Sequence, residues 1–167
     1  VCTVVKEDKS LNGFIRTGHR ELIPLAEFRT WIMDIRDKGE YRERKRRDGK
    51  VYENKDGNLG FGPFTWDARK MILRKLFETQ KAMNYQLITI EELKAIDEIW
   101  DDELDLSRRV LVDLYYELTG ERLPWDAYKE PLVDSQTVEQ LETMCEENNV
   151  PFELVRNMIL SAYRNKN

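Results

Sequence analysis

Apolar side chains recur at spacings of three and four over most of the chain, which is the period of an amphipathic α-helix. In residues 22–37 they predict a helix with Pro24 in its first turn and a stripe of Leu22, Leu25, Phe28, Ile32 and Ile35. Thr65 is a typical helix cap, and it predicts a second helix to about Asn84. Positions on the period of that helix are Met71, Ile72, Lys75, Leu76, Thr79 and Met83.

The second half of the chain repeats this helical period. Thr89 and Glu92 have the spacing of a capping box and predict a helix along Leu93, Ile96 and Trp100. Another helix is predicted in "LSRRVLVDLYYELTG", with Gly120 as its stop. Residues 135–148 and 151–165 predict two helices joined by a tight turn, in which Leu141, Met144 and Cys145 face Val155, Ile159 and Tyr163.

One segment between these helices predicts β-structure. "KVYENKDGN" favours a short β-hairpin near residues 50–60, because Asp56-Gly57 is a preferred turn pair. The fold class expected from the pattern is therefore mainly α, a helical bundle with one short β-hairpin. We expect residues 1–130 to form one helical module that carries the hairpin as a basic insertion. Residues 131–167 are then a terminal helical hairpin packed on it.

Composition indicates an ordered protein without a membrane segment. The 167 residues are 35% charged, but 41% are hydrophobic and 10% aromatic, which argues against disorder. No run approaches the roughly 20 apolar residues of a membrane span, and no signal peptide is recognisable, so we expect a cytoplasmic protein. The chain opens on Val1 with the apolar run "VCTVV", from which we expect a fragment of something longer.

Charge is distributed unevenly along the chain. Residues 1–80 carry 18 Lys plus Arg against 13 Asp plus Glu, whereas residues 81–167 carry 9 against 19. The positive charge is concentrated in residues 42–50, here called the basic segment, which contains Arg42, Arg44, Lys45, Arg46, Arg47 and Lys50. Guanidinium groups bind phosphate with paired donors, and phosphate contacts release counterions, so these side chains are candidate ligands of DNA or nucleotide phosphates. The alternative is a solvated loop paired with Glu40, Glu43 and Asp48.

Other candidate sites are weaker. "GNLGFGPFT" lacks the order of a known phosphate loop, and the start of a helix is its simpler interpretation. His19 has no evident acid-base partner. The carboxylates of "DDELD", residues 101–105, lack the spacing of a calcium loop and favour a hydrated turn between helices. Cys145 is expected to be a small core residue.

Several segments in a fixed order resemble one known family. They are "VCTVVKEDKSLNGFI", "PLAEFRTWIMDIRD", "RRDGKVY", "GFGPFTWDARKMILRKL" and "ELDLSRRVLVDLYYELTG". Together they are similar to the C-terminal region of the DndC-type sulfurtransferase of DNA phosphorothioation, within the PAPS-reductase and ATP-pyrophosphatase superfamily. The resemblance covers about residues 1–130. It implies that the chain is a fragment of a larger α/β enzyme, in which it supports binding of phosphate, DNA or a partner protein.

The resemblance also carries expectations about cofactors. The family's catalytic domain has a pyrophosphatase loop for ATP, and its cysteines hold a four-iron iron-sulfur cluster. This chain has no such loop, so we expect no cofactor in the fragment and no ATP cleavage by it alone. The resemblance implies that Cys2 is one cluster ligand, with the other cysteines upstream. The implied partners are DNA and other phosphorothioation proteins, with no membrane.

A different class of function is compatible with the same helices. A stand-alone helical adaptor for protein interactions, without sulfur chemistry, would use the acidic second half of the chain and its apolar helix faces. An upstream pyrophosphatase loop with further cysteines would favour the enzyme, and an initiation codon directly before Val1 would favour the adaptor. The sequence leaves open which phosphate the basic segment contacts, which protein binds and whether the chain oligomerises.

Overall fold

Helices make up most of the computed structural model, which describes residues 7–46, 49–51, 53, 57 and 60–165. Within those residues the α-helices are α1 (Lys9–Arg16), α2 (Ile23–Arg36), α3 (Trp66–Met83), α4 (Ile90–Glu103), α5 (Val110–Thr119), α6 (Ser135–Glu147) and α7 (Phe152–Arg164). Short 3-10 helices lie at Arg20–Leu22, Gly39–Tyr41 and Asp126–Tyr128. The mainly α fold class is confirmed.

The predicted β-hairpin falls mostly outside the described residues. Residues 52, 54–56, 58 and 59 are not described, so the hairpin near residues 50–60 stays a prediction. Nearby, the described residues Arg42 and Phe64 form an antiparallel bridge.

The chain forms two compact units, Val1–Leu87 and Ile88–Asn167. The boundary predicted at residue 130 lies within the second of them, and the proposed division into residues 1–130 and 131–167 stays a prediction. We describe each unit by itself.

The first unit is built around the packing of α2 against α3. Phe28 and Ile35 of α2 are buried, as their stripe predicts, and Pro24 lies in the first turn of the helix. Thr65 caps α3 by accepting a hydrogen bond from the Ala68 amide. The buried face of α3 consists of Ala68, Leu73, Phe77 and Thr79. Of the positions predicted for that face only Thr79 is fully buried, and Lys75 is exposed.

The second unit contains α4 to α7. The capping box is present at Thr89, whose side chain accepts from the Glu92 amide while the Glu92 carboxylate accepts from the Thr89 amide. Gly120 ends α5 with a left-handed backbone, as predicted. The core of this unit includes Leu93, Trp100, Leu106, Leu111, Val112 and Leu123.

The last two helices are paired, as their sequences predict. Cys145 of α6 is buried, which confirms it as a core residue, and Leu160 of α7 is buried as well. Met144 was predicted to face α7, and that prediction is wrong, because 58% of the residue is exposed. Met144 and Cys145 are adjacent, and both fit the apolar period of α6, but only Cys145 lies on the buried side of the helix.

Candidate phosphate-binding site

The beginning of the basic segment is fastened to the residues that precede α3. The Glu43 amide donates to the Pro63 carbonyl over 2.8 Å, and the Gly62 amide donates back to the Glu43 carbonyl over 2.7 Å. The Thr65 amide donates to the Tyr41 carbonyl over 3.0 Å. These bonds fix the backbone of residues 41–43 against the start of α3.

Gly62 is needed for this contact. A Cβ atom at this position would lie 2.0 Å from the Lys45 carbonyl oxygen and 2.8 Å from that of Glu43, distances at which backbone atoms must move apart. Among the glycines of "GNLGFGPFT", Gly62 therefore permits the close packing of two backbone segments. Together with the cap at Thr65, this agrees with its interpretation as the start of a helix.

Arg42 is held within this contact. Its Nε donates to the Gly62 carbonyl over 2.9 Å, and its guanidinium lies 4.6 Å from the centre of the Phe64 ring. Burial lowers the pKa of Arg42 from its usual value, an effect that nearby Asp37 opposes. An arginine bound in this way orients the segment, and it is the member of the basic segment least suited to contact an external phosphate.

The remaining described cations of the segment are exposed. They flank a tight turn in which the Arg46 amide donates to the Lys50 carbonyl and the Gly49 amide donates to the Arg46 carbonyl, each over 2.9 Å. Gly49 has φ of 77°, a backbone conformation that glycine adopts at little cost. The exposed cations are Arg44, Lys45, Arg46 and Lys50. Arg47 lies outside the described residues.

Arg44 and Lys45 are exposed and form no ion pair with a described residue, a property that they share with exposed cations such as Lys9. In the described part of the chain, neither has a carboxylate within ion-pair distance, whereas cations such as Arg36 and Lys70 pair with the adjacent Asp37 and Asp67. Among the described acids, the alternative of a loop paired with its own carboxylates therefore fails for these two side chains. Binding an anion would order each of these side chains at a cost of about 0.5–1.5 kcal/mol, while the backbone of residues 41–43 beside them is already fixed.

The other sequence candidates are placed as follows. Cys2 lies outside the described residues, so nothing in the structure bears on its role as a cluster ligand. His19 precedes the short helix Arg20–Leu22, and its Nδ1 lies 2.9 Å from a Glu21 carboxylate oxygen at the surface.

A buried polar cluster in the second unit was missed by the sequence analysis. The Asp97 Oδ2 atom accepts from the Trp125 indole and from the Lys129 ammonium, each over 2.6 Å, and Lys129 also contacts Asp101 over 2.8 Å. Burial raises the pKa of Asp97 and raises that of Asp101 to about 6, although Lys129 opposes both shifts. A signal was present in the sequence, because Asp97 interrupts the apolar stripe between Leu93 and Trp100.

The carboxylates of residues 101–105 are a hydrated turn only in part, since Asp102 and Glu103 are exposed whereas Asp105 is not. Asp105 is buried, and its two oxygens accept hydrogen bonds from the Ser107 amide and hydroxyl and from the Val110 amide. Asp101 is part of the cluster with Lys129. The prediction fails for Asp105, because its side chain closes the connection between α4 and α5 from the inside.

The described residues contain neither a metal site nor a membrane span. No set of three or more His, Cys, Asp or Glu side chains there is arranged to hold a metal ion. No helix among them has the length and hydropathy needed to cross a membrane.

Comparison with known proteins gives no match. No family model, no curated protein and no solved structure matches this chain, and its likeness to the DndC-type sulfurtransferases stays a prediction from its motifs.

Proposed function

We propose that this chain is the C-terminal accessory region of a DNA phosphorothioate-modifying sulfurtransferase of the DndC type, and that its basic segment binds backbone phosphates of DNA. The order of motifs over residues 1–130 supports the parentage. The observation that carries the phosphate-binding role is the clustering of exposed cations directly after the fastened residues 41–43, where Arg44 and Lys45 have no described acidic partner.

The physical basis of this role is electrostatic. Like charges in close sequence repel each other, and a polyanion that lies across them removes that repulsion while it releases its own counterions. Phosphate contacts of this kind set the position of DNA but do not read its sequence. The segment would therefore hold DNA near a catalytic domain whose own residues choose the site of modification.

The parent enzyme would supply the chemistry. In this proposal Cys2 ligates an iron-sulfur cluster together with cysteines upstream, and ATP binds to the catalytic domain. The residues of the chain bind and orient DNA in the cytoplasm, and its acidic second unit is suited to a partner protein with a basic surface.

The test is a salt titration of duplex DNA binding with the Arg44→Ala, Lys45→Ala, Arg46→Ala triple variant. Each phosphate contact contributes about 0.9 to the slope of log affinity against log salt, so loss of three contacts should flatten the slope by up to about 2.7. Affinity at low salt should fall with it. The matched control is Lys9→Ala, Arg16→Ala, Arg20→Ala, which removes the same charge from exposed positions elsewhere in the first unit.

The two triple variants separate a local site from a general charge effect. The proposal requires that the control keeps a slope close to that of the unchanged protein. Equal losses in both variants, or an unchanged slope in the first, would refute the phosphate-binding role. Absence of DNA binding by the unchanged protein would instead favour the helical adaptor.

A further inference from the structure

The second unit contains a pocket of about 220 Å³, and none of its lining residues belongs to the basic segment. Its walls come from the end of α4, the connection to α5, the chain before α6 and the last turns of α7. The pocket is lined by Asp101, Asp102, Arg108, Leu132, Leu160, Tyr163 and Arg164.

Arg108 is the unusual residue of this pocket. Its guanidinium lies 5.2 Å from the centre of the Tyr163 ring, and its Nε atom is buried without a hydrogen-bond acceptor. Within the described residues its side chain has neither an ion pair nor a hydrogen bond. The next residue, Arg109, contacts carboxylates of Asp113 and Asp126 at 2.8 and 2.7 Å. Arg108 thus lacks a described carboxylate partner although its unit has a large excess of acids.

The backbone holds Arg108 in place at some cost. Its φ of 54° lies in the left-handed region, which non-glycine residues rarely adopt. The Asp105 carboxylate closes the turn from one side through the Ser107 and Val110 amides. On the other side, the amides of Leu132 and Val133 both donate to the Leu106 carbonyl. The guanidinium is thus presented at the pocket by a connection that is bonded on both flanks.

The other walls are apolar surface, polar groups bonded elsewhere, and the exposed carboxylate of Asp102, which forms no ion pair within the described residues. Leu132, Leu160 and the Tyr163 ring supply apolar surface. The Asp101 carboxylate is offset by Lys129, 2.8 Å away, and Arg164 donates to the Asp102 carbonyl rather than to a carboxylate. Neither the Asp101 nor the Asp102 carboxylate lies within ion-pair distance of Arg108, so the guanidinium is unpaired among the described residues.

We propose that this pocket binds a small organic oxyanion, a carboxylate or a phosphate monoester with a compact apolar or aromatic body, whose anionic group pairs with Arg108. The volume suits such a ligand, because it is about half as large again as a cavity of ~150 Å³ that holds benzene. The body of the ligand would contact Leu132, Leu160 and Tyr163. This site is independent of the proposed DNA contact.

The test on the unchanged chain is calorimetric titration with four probes: benzoate, phenyl phosphate, inorganic phosphate and neutral benzyl alcohol. We expect saturable binding of benzoate or phenyl phosphate, and the tighter of the two identifies the preferred anionic group. Benzyl alcohol should bind about tenfold more weakly or worse, since it cannot form charge-assisted hydrogen bonds. Inorganic phosphate should also bind more weakly, because it lacks the apolar body.

Two substitutions connect binding with Arg108. Arg108→Met keeps the apolar stem and should weaken the organic anions about tenfold or more while it leaves benzyl alcohol unchanged. Arg108→Lys keeps the charge without the planar fork and should weaken them several-fold, which preserves the test should the first variant fail to fold. Arg122→Met is the matched control, because Arg122 also lies over a tyrosine, 4.6 Å from the Tyr116 ring, but pairs with Asp126 outside the pocket.

The proposal is supported when the two organic anions lose affinity at Arg108 and keep it in the control. It is overturned when neither organic anion binds, when benzyl alcohol binds as tightly as they do, or when Arg122→Met has the same effect as Arg108→Met. Unchanged affinity in both Arg108 variants overturns it as well.

Discussion

Asp97 occupies a helical position at which the period of α4 calls for an apolar side chain. It is only 2% exposed, between the buried residues Leu93 and Trp100. Its Oδ2 atom receives two short hydrogen bonds from Trp125 and Lys129, while its Oδ1 atom is buried without a partner. Loss of one member of a buried ion pair commonly costs about 3–5 kcal/mol, because the other charge is left uncompensated. The bonds of Asp97 to Trp125 and Lys129 therefore connect α4 with the chain that follows α5.

The neighbouring Asp101 makes stability depend on pH. Burial raises its pKa from an ordinary value of 3.8 to about 6. The folded state therefore binds this proton more tightly than the unfolded state, and the associated stability is present at low pH and lost as the pH rises from about 3.8 to 6. Asp101→Asn removes the titration. We expect its free energy of unfolding, relative to the unchanged protein, to rise by on the order of 2 kcal/mol across that window.

Urea unfolding of both proteins at a series of pH values measures this difference. Asp102→Asn is the control, because it removes the same charge from an exposed position one residue further along α4. A difference between Asp101→Asn and the unchanged protein that stays constant from pH 3.8 to 6 would contradict the assigned burial effect.

At the scale of elements, most helix boundaries could be predicted because their signals are local. A cap at Thr65 or Thr89 needs only its own side chain and an amide three residues later, and a stop at Gly120 needs only a permitted left-handed backbone. Helix α1 was missed, although the Asp8 side chain caps it, because its sequence contains Gly13 and Asn12, which are poor helix formers.

The faces and contacts of these elements could be predicted less well. The buried side of α3 depends on where α2 lies, and two apolar stripes compete on its surface. In the basic segment, the composition predicts an anion site but not that Arg42 is bound internally to Gly62 and Phe64. That distinction arises from a contact between backbone segments twenty residues apart in the chain, for which no local pattern exists.

Gly62→Ala tests the contact between the basic segment and the start of α3. The new Cβ would meet the Lys45 and Glu43 carbonyl oxygens, so the two backbones must separate and lose their hydrogen bonds. We expect a loss of about 2 kcal/mol or more in the free energy of unfolding, measured by urea denaturation.

Gly13→Ala, in the same unit, should raise the free energy of unfolding, whereas Gly62→Ala should lower it. Gly13 lies within α1, and a Cβ atom added to it would meet nothing within 4 Å, so alanine should stabilise the protein by roughly 0.5–1 kcal/mol. A Gly62→Ala protein as stable as the unchanged one would show that residues 43–45 do not pack against Gly62.

At the scale of the whole molecule, the division into two units coincides with a division of charge. Residues 1–87 carry 19 Lys plus Arg against 13 Asp plus Glu, and residues 88–167 carry 8 against 19. The asymmetry along the chain was visible in the sequence. Its correspondence with two compact units required the contacts between residues that only the structure provides.

This division predicts how the two parts interact with DNA. A segment of residues 1–87, which contains the exposed cations Arg44 and Lys45, should be retained on DNA-cellulose at low salt and released as salt rises. A segment of residues 88–167 should pass through, because its excess of carboxylates repels phosphate. Circular dichroism of each segment controls for folding. Retention of the acidic segment, or passage of the basic one in its helical state, would mean that total charge does not determine which unit meets DNA.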